Sequence, residues 1–163
     1  MEKMILIDPD KCRGCMRCEL ACSFNKEKSF NNAHSRIRIF AVQEVLAFMP
    51  VVCQHCETPL CTYACPTKAI RKDPATGIVK IDENLCIGCL SCFAACPLSG
   101  IFTAPDLKVP IKCDLCDGEP KCVEACDYGA LQFVDKESAN YTKMANAAKA
   151  YAKLMEIVTG RKG

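Results

Sequence analysis

The chain has 163 residues, 16 of them cysteine, and 21 Lys and Arg against 19 Asp and Glu give a formal net charge of +2. The length suits one domain, and so even a charge balance carries no basic field for nucleic acid. The longest apolar run, residues 45–53, contains Pro50 and falls far short of the ~20 residues of a spanning helix. The apolar residues after Met1 stop at Asp8 and Pro9, too early for the core of an export signal, so neither a secreted disulfide scaffold nor a transmembrane segment is expected, and the expected compartment is the cytoplasm.

Residues 4–7 are a short apolar run expected to form a strand. It leads into a first cysteine motif, Cys12, Cys15, Cys18 and Cys22, with Ser23 after it. Lys11, Arg13 and Arg17 lie in or beside this motif and leave two readings open: a solvated basic rim, and compensation for negative charge or a docking patch. Residues 23–35 are polar and read as a loop with room for a helical turn, and His34 within it reads as a surface residue. Residues 36–42 alternate apolar and polar and read as a strand, with residues 45–52 as partner and Pro50 placing that pair at an edge.

The second motif is Cys53, Cys56, Cys61 and Cys65, closed by Pro66; His55 between its first two cysteines reads as a hydrogen-bonding residue rather than a ligand. Two short strands around Asp73-Pro74-Ala75-Thr76-Gly77 read as a hairpin, which delivers the chain to a third motif, Cys86, Cys89, Cys92 and Cys96, closed by Pro97. Ile81-Asp82-Glu83-Asn84-Leu85-Cys86 echoes Ile7-Asp8-Pro9-Asp10-Lys11-Cys12, an internal repeat that points to duplication.

Residues 101–105 and 108–112 precede a fourth motif, Cys113, Cys116, Cys122 and Cys126, with Asp127 after it and a closing strand over 129–134. The tail, 137–163, has no cysteine. Tyr141, Met144, Ala148, Tyr151, Met155 and Val158 recur at helical spacing, with Ser138 as the expected N-cap and Gly160 as the stop. This amphipathic helix would pack on the protein's own core or dock a partner subunit; docking is favoured because so cysteine-rich a body has little spare apolar face.

The third motif, with gaps of two, two and three residues before proline, has the spacing of bacterial ferredoxins. Three thiolates on a tight loop hold one [4Fe-4S] cluster and the fourth reaches a neighbouring one. Gly88 is expected to let the backbone approach the inorganic sulfurs, and Pro97 to stop the helix. Zinc would take two separated pairs and leave the third cysteine without a role. Sixteen ligands make four [4Fe-4S] clusters, and thiolates and clusters together would bring the holo-protein to a charge of about −6. The hairpin joins the second and third motifs, so they pair: Cys53, Cys56 and Cys61 with Cys96, and Cys86, Cys89 and Cys92 with Cys65. The outer motifs remain to pair with each other: Cys12, Cys15 and Cys18 with Cys126, and Cys113, Cys116 and Cys122 with Cys22. Both inner motifs end in proline and both outer ones lack it.

The nested order of motifs, with the phrases Cys53-Gln54-His55-Cys56-Glu57-Thr58-Pro59-Leu60-Cys61 and Lys112-Cys113-Asp114-Leu115-Cys116 through Cys122 and Cys126, resembles the iron–sulfur subunits of the dimethyl sulfoxide reductase type over residues 4–134. The resemblance implies an α+β double ferredoxin-like fold over residues 1–136, with an inner unit at about 53–102 and an outer unit from 4–22 and 108–134. It also implies electron relay between a catalytic oxidoreductase subunit, containing tungsten or molybdenum, and a second redox protein or flavoprotein. The chain is most similar in kind to the small cytoplasmic members that serve tungsten aldehyde oxidoreductases and benzoyl-CoA reductases in anaerobic metabolism. Subunits of carbon monoxide dehydrogenase, hydrogenase or formate dehydrogenase, a free polyferredoxin, and a structural or conducting assembly are the alternatives. No nucleophile or acid–base pair stands out, so catalysis by this chain alone is not expected.

Overall fold

The computed structural model describes residues 2–43, 47–142 and 144. The fold is α+β, built from four two-stranded antiparallel sheets and short helices. The outermost pair joins distant parts of the chain. Strand β1 (Lys3–Ile7) runs antiparallel to β8 (Leu131–Asp135), from Lys3 opposite Asp135 to Ile7 opposite Leu131. Ile5 and Leu131 point from this sheet into the core.

Helix α1 (Arg17–Glu27) carries the end of the first motif and packs on α4 (Lys121–Glu124), which carries the end of the fourth. Strands β2 (Ile37–Val42) and β3 (Ala47–Val52) form a hairpin. Pro50 sits in β3 opposite Ile39; in a two-stranded sheet each strand has a free edge, so its missing N–H costs no ladder bond. The expected start of this strand at residue 45 lies outside the described residues.

Helix α2 (Leu60–Tyr63) packs on α3 (Ser91–Ala95), and between them runs the hairpin of β4 (Ile70–Lys72) and β5 (Val79–Ile81). Asp73 shapes its turn: its Oδ1 accepts the Ala75 N–H at 2.8 Å and its carbonyl accepts the Gly77 N–H at 2.8 Å. Strands β6 (Ile101–Phe102) and β7 (Ile111–Lys112) make the last short pair.

Two apolar clusters result. One gathers Ile5, Ile37, Val52, Ile78, Leu115 and Leu131 around Cys18, Cys22, Cys113 and Cys122. The other gathers Ile70, Val79 and Ile101 around Cys61 and Cys92. Ile78, just before β5, and Val79, its first residue, point to opposite sides, so one side chain enters each cluster.

The repeat seen in the sequence recurs in the backbone. Gly14 and Gly88 have φ of +66° and +70°, and Met16 and Leu90, two residues on, are left-handed N-caps at φ 58° and 60°. Gly88 owes its identity to this conformation and to the Lys108 carbonyl, which a Cβ would meet at 2.5 Å.

Three expectations are corrected. Residues 23–27 are helix rather than loop, because Ser23 permits α1 to continue where Pro66 and Pro97 follow the ends of α2 and α3. Ser23 is fully buried, donates to the Leu20 carbonyl at 3.1 Å and accepts the Asn31 N–H at 3.3 Å. His34 is only partly at the surface; its side chain is 12% exposed and its Nε2 meets both oxygens of the exposed Asp106 at 2.8 Å. Ser138 is no N-cap, because helical residues begin at 136, directly after β8, where the Lys136 N–H still bonds the Glu2 carbonyl. In this helix Ala139 packs on Met4, Leu6 and Val134, while Tyr141 and Met144 are exposed. Ala148, Tyr151, Met155, Val158 and Gly160 lie outside the described residues.

Replacing Ser23 with proline is expected to break α1 and lower stability by about 3 kcal/mol. Anaerobic denaturant titration of the S23P chain, followed by far-ultraviolet circular dichroism, checks this; an unmoved midpoint would contradict it.

Candidate iron–sulfur centre

The packing of α1 on α4 and of α2 on α3 gathers the cysteines into groups. Cys12, Cys15, Cys18 and Cys126 line one cavity of 330 Å³, counting space open to solvent, with Ile39 and Leu131 in its wall. Cys53, Cys56, Cys61 and Cys96 line another of 390 Å³, with Val79 and Ile101. Cys122 lies close enough to Cys113, Cys22, Cys116 and Cys18 that burial, then each of these in turn, pushes its thiol upward. Cys92 is raised by burial and further by Cys86 and Cys89, and the charge of Cys65 acts on Cys89.

Burial dominates these thiols. It pushes Cys18 up to about 12 and Cys61 up to about 11. A buried thiolate is therefore unfavourable on its own and needs positive charge against it, which coordinated iron supplies. The sulfurs surround spaces rather than points: among the described residues, no three His, Cys, Asp or Glu side chains converge closely enough to hold a single metal ion. A zinc site needs its sulfurs at about 2.3 Å from one centre. Sulfurs spread around a cavity walled mainly by apolar side chains suit a larger inorganic group.

Backbone and side-chain N–H groups aim at the sulfurs. The Arg36 N–H donates to Cys22 Sγ at 3.3 Å, the Leu115 N–H to Cys113 Sγ at 3.3 Å, and Asn25 Nδ2 to Cys116 Sγ at 3.5 Å. The His55 N–H donates to Cys53 Sγ at 3.4 Å and the Gly100 N–H to Cys96 Sγ at 3.4 Å. Gly100 comes so close that a Cβ would stand 2.7 Å from the Cys53 Cα, so no larger residue fits beside the second motif. The Ser91 hydroxyl lies 3.4 Å from Cys89 Sγ and lowers that thiol.

His55 is buried, and its Nδ1 accepts the Val79 N–H at 3.0 Å. Burial, then the Lys112 and Lys136 charges, pushes its pKa down to about 3, so it stands as neutral imidazole bonded to backbone. Around the first motif, Lys11 pairs with Asp8 at 3.0 Å and Arg17 with Asp127. The residue in place of proline after the fourth motif thus tethers it to the first. Sequence reasoning missed Asn25, whose stretch read as loop, and Arg36 and Gly100, whose contacts are made by backbone N–H groups and leave no mark in residue type.

A model of the 4Fe-4S dicluster domain matches residues 44–136, and a model of a 4Fe-4S binding domain matches residues 4–26. The chain belongs to the 4Fe-4S dicluster family. Its role is electron transfer of the kind carried out by iron–sulfur subunits of oxidoreductases. This dicluster protein is 39% identical over 137 residues to the aliphatic sulfonate oxidoreductase polyferredoxin-like subunit of Pyrococcus furiosus, covering 84% of this chain and 79% of that one. It is 30% identical over 161 residues to the thiosulfate reductase electron transfer subunit PhsB of Salmonella typhi, covering 91% of this chain and 83% of that one. It is 37% identical over 132 residues, 80% of its length, to the NADH-dependent phenylglyoxylate dehydrogenase subunit beta of Aromatoleum evansii, and spans only 30% of that relative. Among solved structures, the active site complex BamBC of benzoyl coenzyme A reductase aligns at a TM-score of 0.47 and 28% identity, over 98% of this chain and 97% of that one. Among the described residues, no helix is long and apolar enough to cross a membrane.

Hydrogen bonds to sulfur stabilise the more negative, reduced state of a cluster. Asn25→Val is therefore expected to lower the potential of the cluster held through Cys116 and leave the other clusters in place. A redox titration followed by electron paramagnetic resonance reads this directly.

Proposed function

We propose that the chain holds four [4Fe-4S] clusters and passes single electrons through them between a catalytic oxidoreductase subunit and a second redox protein. The reading divides the sixteen cysteines into four sets; it is supported by the two cavities in which Cys126 joins Cys12, Cys15 and Cys18 and Cys96 joins Cys53, Cys56 and Cys61, and by the electrostatic action of Cys113, Cys22 and Cys116 on Cys122, of Cys86 and Cys89 on Cys92 and of Cys65 on Cys89. In each set three cysteines come from one motif and one from its partner: Cys12, Cys15, Cys18 and Cys126; Cys113, Cys116, Cys122 and Cys22; Cys53, Cys56, Cys61 and Cys96; Cys86, Cys89, Cys92 and Cys65.

The sets follow one another as a line. On this reading the set of Cys53 stands beside the set of Cys113 in the middle, in keeping with the electrostatic action of Cys53 on Cys113 and with Lys112 lining a space beside each. Cys15 and Cys89, the two exposed cysteines among the sixteen, belong to the remaining sets, which form the ends where partners can approach. The clusters, when bound, supply one-electron redox chemistry. The protein's part is to space the sets, to exclude water with Ile, Val and Leu side chains, and to offer N–H groups to sulfur so that each added electron is stabilised. Residues 53–102 serve as an inner ferredoxin unit, 4–22 with 108–134 as an outer unit, and 137–163 as a tail.

The favoured catalytic partner is a tungsten-cofactor aldehyde oxidoreductase or a benzoyl-CoA reductase, and the compartment is the cytoplasm, a reducing environment suited to sixteen unpaired cysteines. A free polyferredoxin would elute alone at the size of the single chain from anaerobic size exclusion of natively expressed material; a subunit elutes with its catalytic partner.

Anaerobically purified protein is expected to carry about 16 iron and about 16 acid-labile sulfide per chain. Cys126→Ser and Cys15→Ser are expected to change one and the same cluster signal in electron paramagnetic resonance, and Cys22→Ser and Cys116→Ser to change a different one. If Cys126→Ser instead altered the signal that Cys116→Ser alters, the assignment of the fourth ligands would be wrong.

A further inference from the structure

Lys112 ends β7 and is 5% exposed, an uncommon place for an ammonium group. Its Nζ donates to the Val79 carbonyl and, at 2.9 Å, to the Cys113 carbonyl. Among the described residues no carboxylate forms an ion pair with it. The acid nearest in sequence, Asp114, is occupied by Lys26 at 2.6 Å and Arg36 at 3.4 Å. Two neutral carbonyls offset only part of the several kcal/mol that removing an ammonium from water costs, so a nearby anion is favoured.

Lys112 lines the cavity of Cys53, Cys56, Cys61 and Cys96, and it also lines a cleft with Cys113. Glu83 and Asp114 border that cleft too, but neither forms an ion pair with Lys112 among the described residues, which leaves the thiolates as the anions it faces in the cavity. Its charge acts on both Cys61 and Cys113. The Val79 peptide holds it there: the carbonyl accepts from Lys112, and the N–H is taken by the neutral His55 ring. A set of four thiolates around an oxidised cluster has a net charge of about −2, and reduction adds one more negative charge.

We propose that Lys112 is a positioning residue that serves as the shared counter-cation of the two middle cysteine sets, raising the potential of both clusters relative to the two at the ends. This rests on the four-set reading above. The ammonium attracts an added electron in either of the two sets it faces, so both middle clusters are easier to reduce with Lys112 present than without it. Lys112 is not among the charges that act on Cys18 or Cys92 of the end sets, so those clusters are expected to be affected much less.

The test uses the full chain, purified anaerobically, with Lys112→Met, Lys112→Gln and Lys112→Arg. Iron and sulfide are counted, and potentials are read by redox titration followed by electron paramagnetic resonance, with signals assigned through the cysteine variants described above together with Cys56→Ser and Cys89→Ser for the other two sets. Both neutral variants are expected to shift the reduced-to-oxidised ratio of the two middle clusters about tenfold toward oxidised at fixed potential, which is about 59 mV for one electron. The end clusters and the Lys112→Arg chain are expected to stay near the parent values. Loss of iron from the middle sets in the neutral variants, with retention in Lys112→Arg, supports the same role for the charge. Unchanged middle potentials in loaded neutral variants, an equal shift of all four clusters, or equal loss of iron in all three variants would overturn it. A parent chain with well under about 16 iron would instead remove the four-set reading, and the proposal with it.

Discussion

Negative sulfur in an apolar interior is the constraint from which the rest of this structure follows. The thiols of Cys18, Cys22, Cys113 and Cys122 are buried among Ile5, Ile37, Val52 and Leu131, and burial raises each of them. Such groups are tolerable as thiolates only against positive charge and N–H donors. The short strands, the left-handed turns at Met16 and Leu90 and the close approach of Gly100 all place backbone N–H groups and cysteines around the same spaces.

Cross-chain pairing does the gathering. No single motif brings its own four cysteines to one cavity; Cys126 arrives beside Cys12, Cys15 and Cys18, and Cys96 beside Cys53, Cys56 and Cys61. The β1–β8 ladder and the contact of α1 with α4 hold the outer arrangement, and the hairpin between α2 and α3 holds the inner one. In both of these cavities the long-range order serves to bring in a cysteine from a distant motif. A protein with so little regular secondary structure has a small apolar core of its own, so bound inorganic groups contribute to folding as well as to electron transfer.

Charge outside the sets is distributed with the same logic. Asp114 sits between Lys26 and Arg36; burial raises it, but its hydrogen bond to Lys26 and the two positive charges outweigh this and hold it below the ordinary carboxylate range. Arg17 with Asp127 and Lys80 with Asp117 are exposed pairs that add little stability but join motifs distant in sequence. Lys112 differs from all of these in facing sulfur rather than carboxylate.

Cysteine spacing, the hairpin signal and the strand patterns were legible in the sequence because ligand geometry and turn chemistry are local: gaps of two residues make a tight loop, and Asp73 with Gly77 makes a turn. The echo of residues 7–12 in 81–86 likewise foretold equivalent backbone turns at Gly14 and Gly88. The length of α1 was not legible, because Ser23 continues a helix only when its hydroxyl finds Leu20 and Asn31 in a buried corner. Nor were the pairing of His34 with Asp106 or the placement of Lys112 beside Cys113 and against the cavity of Cys53, Cys56, Cys61 and Cys96. Those depend on which segments meet across the fold, and a residue's neighbours in space are set by packing that its neighbours in sequence do not record.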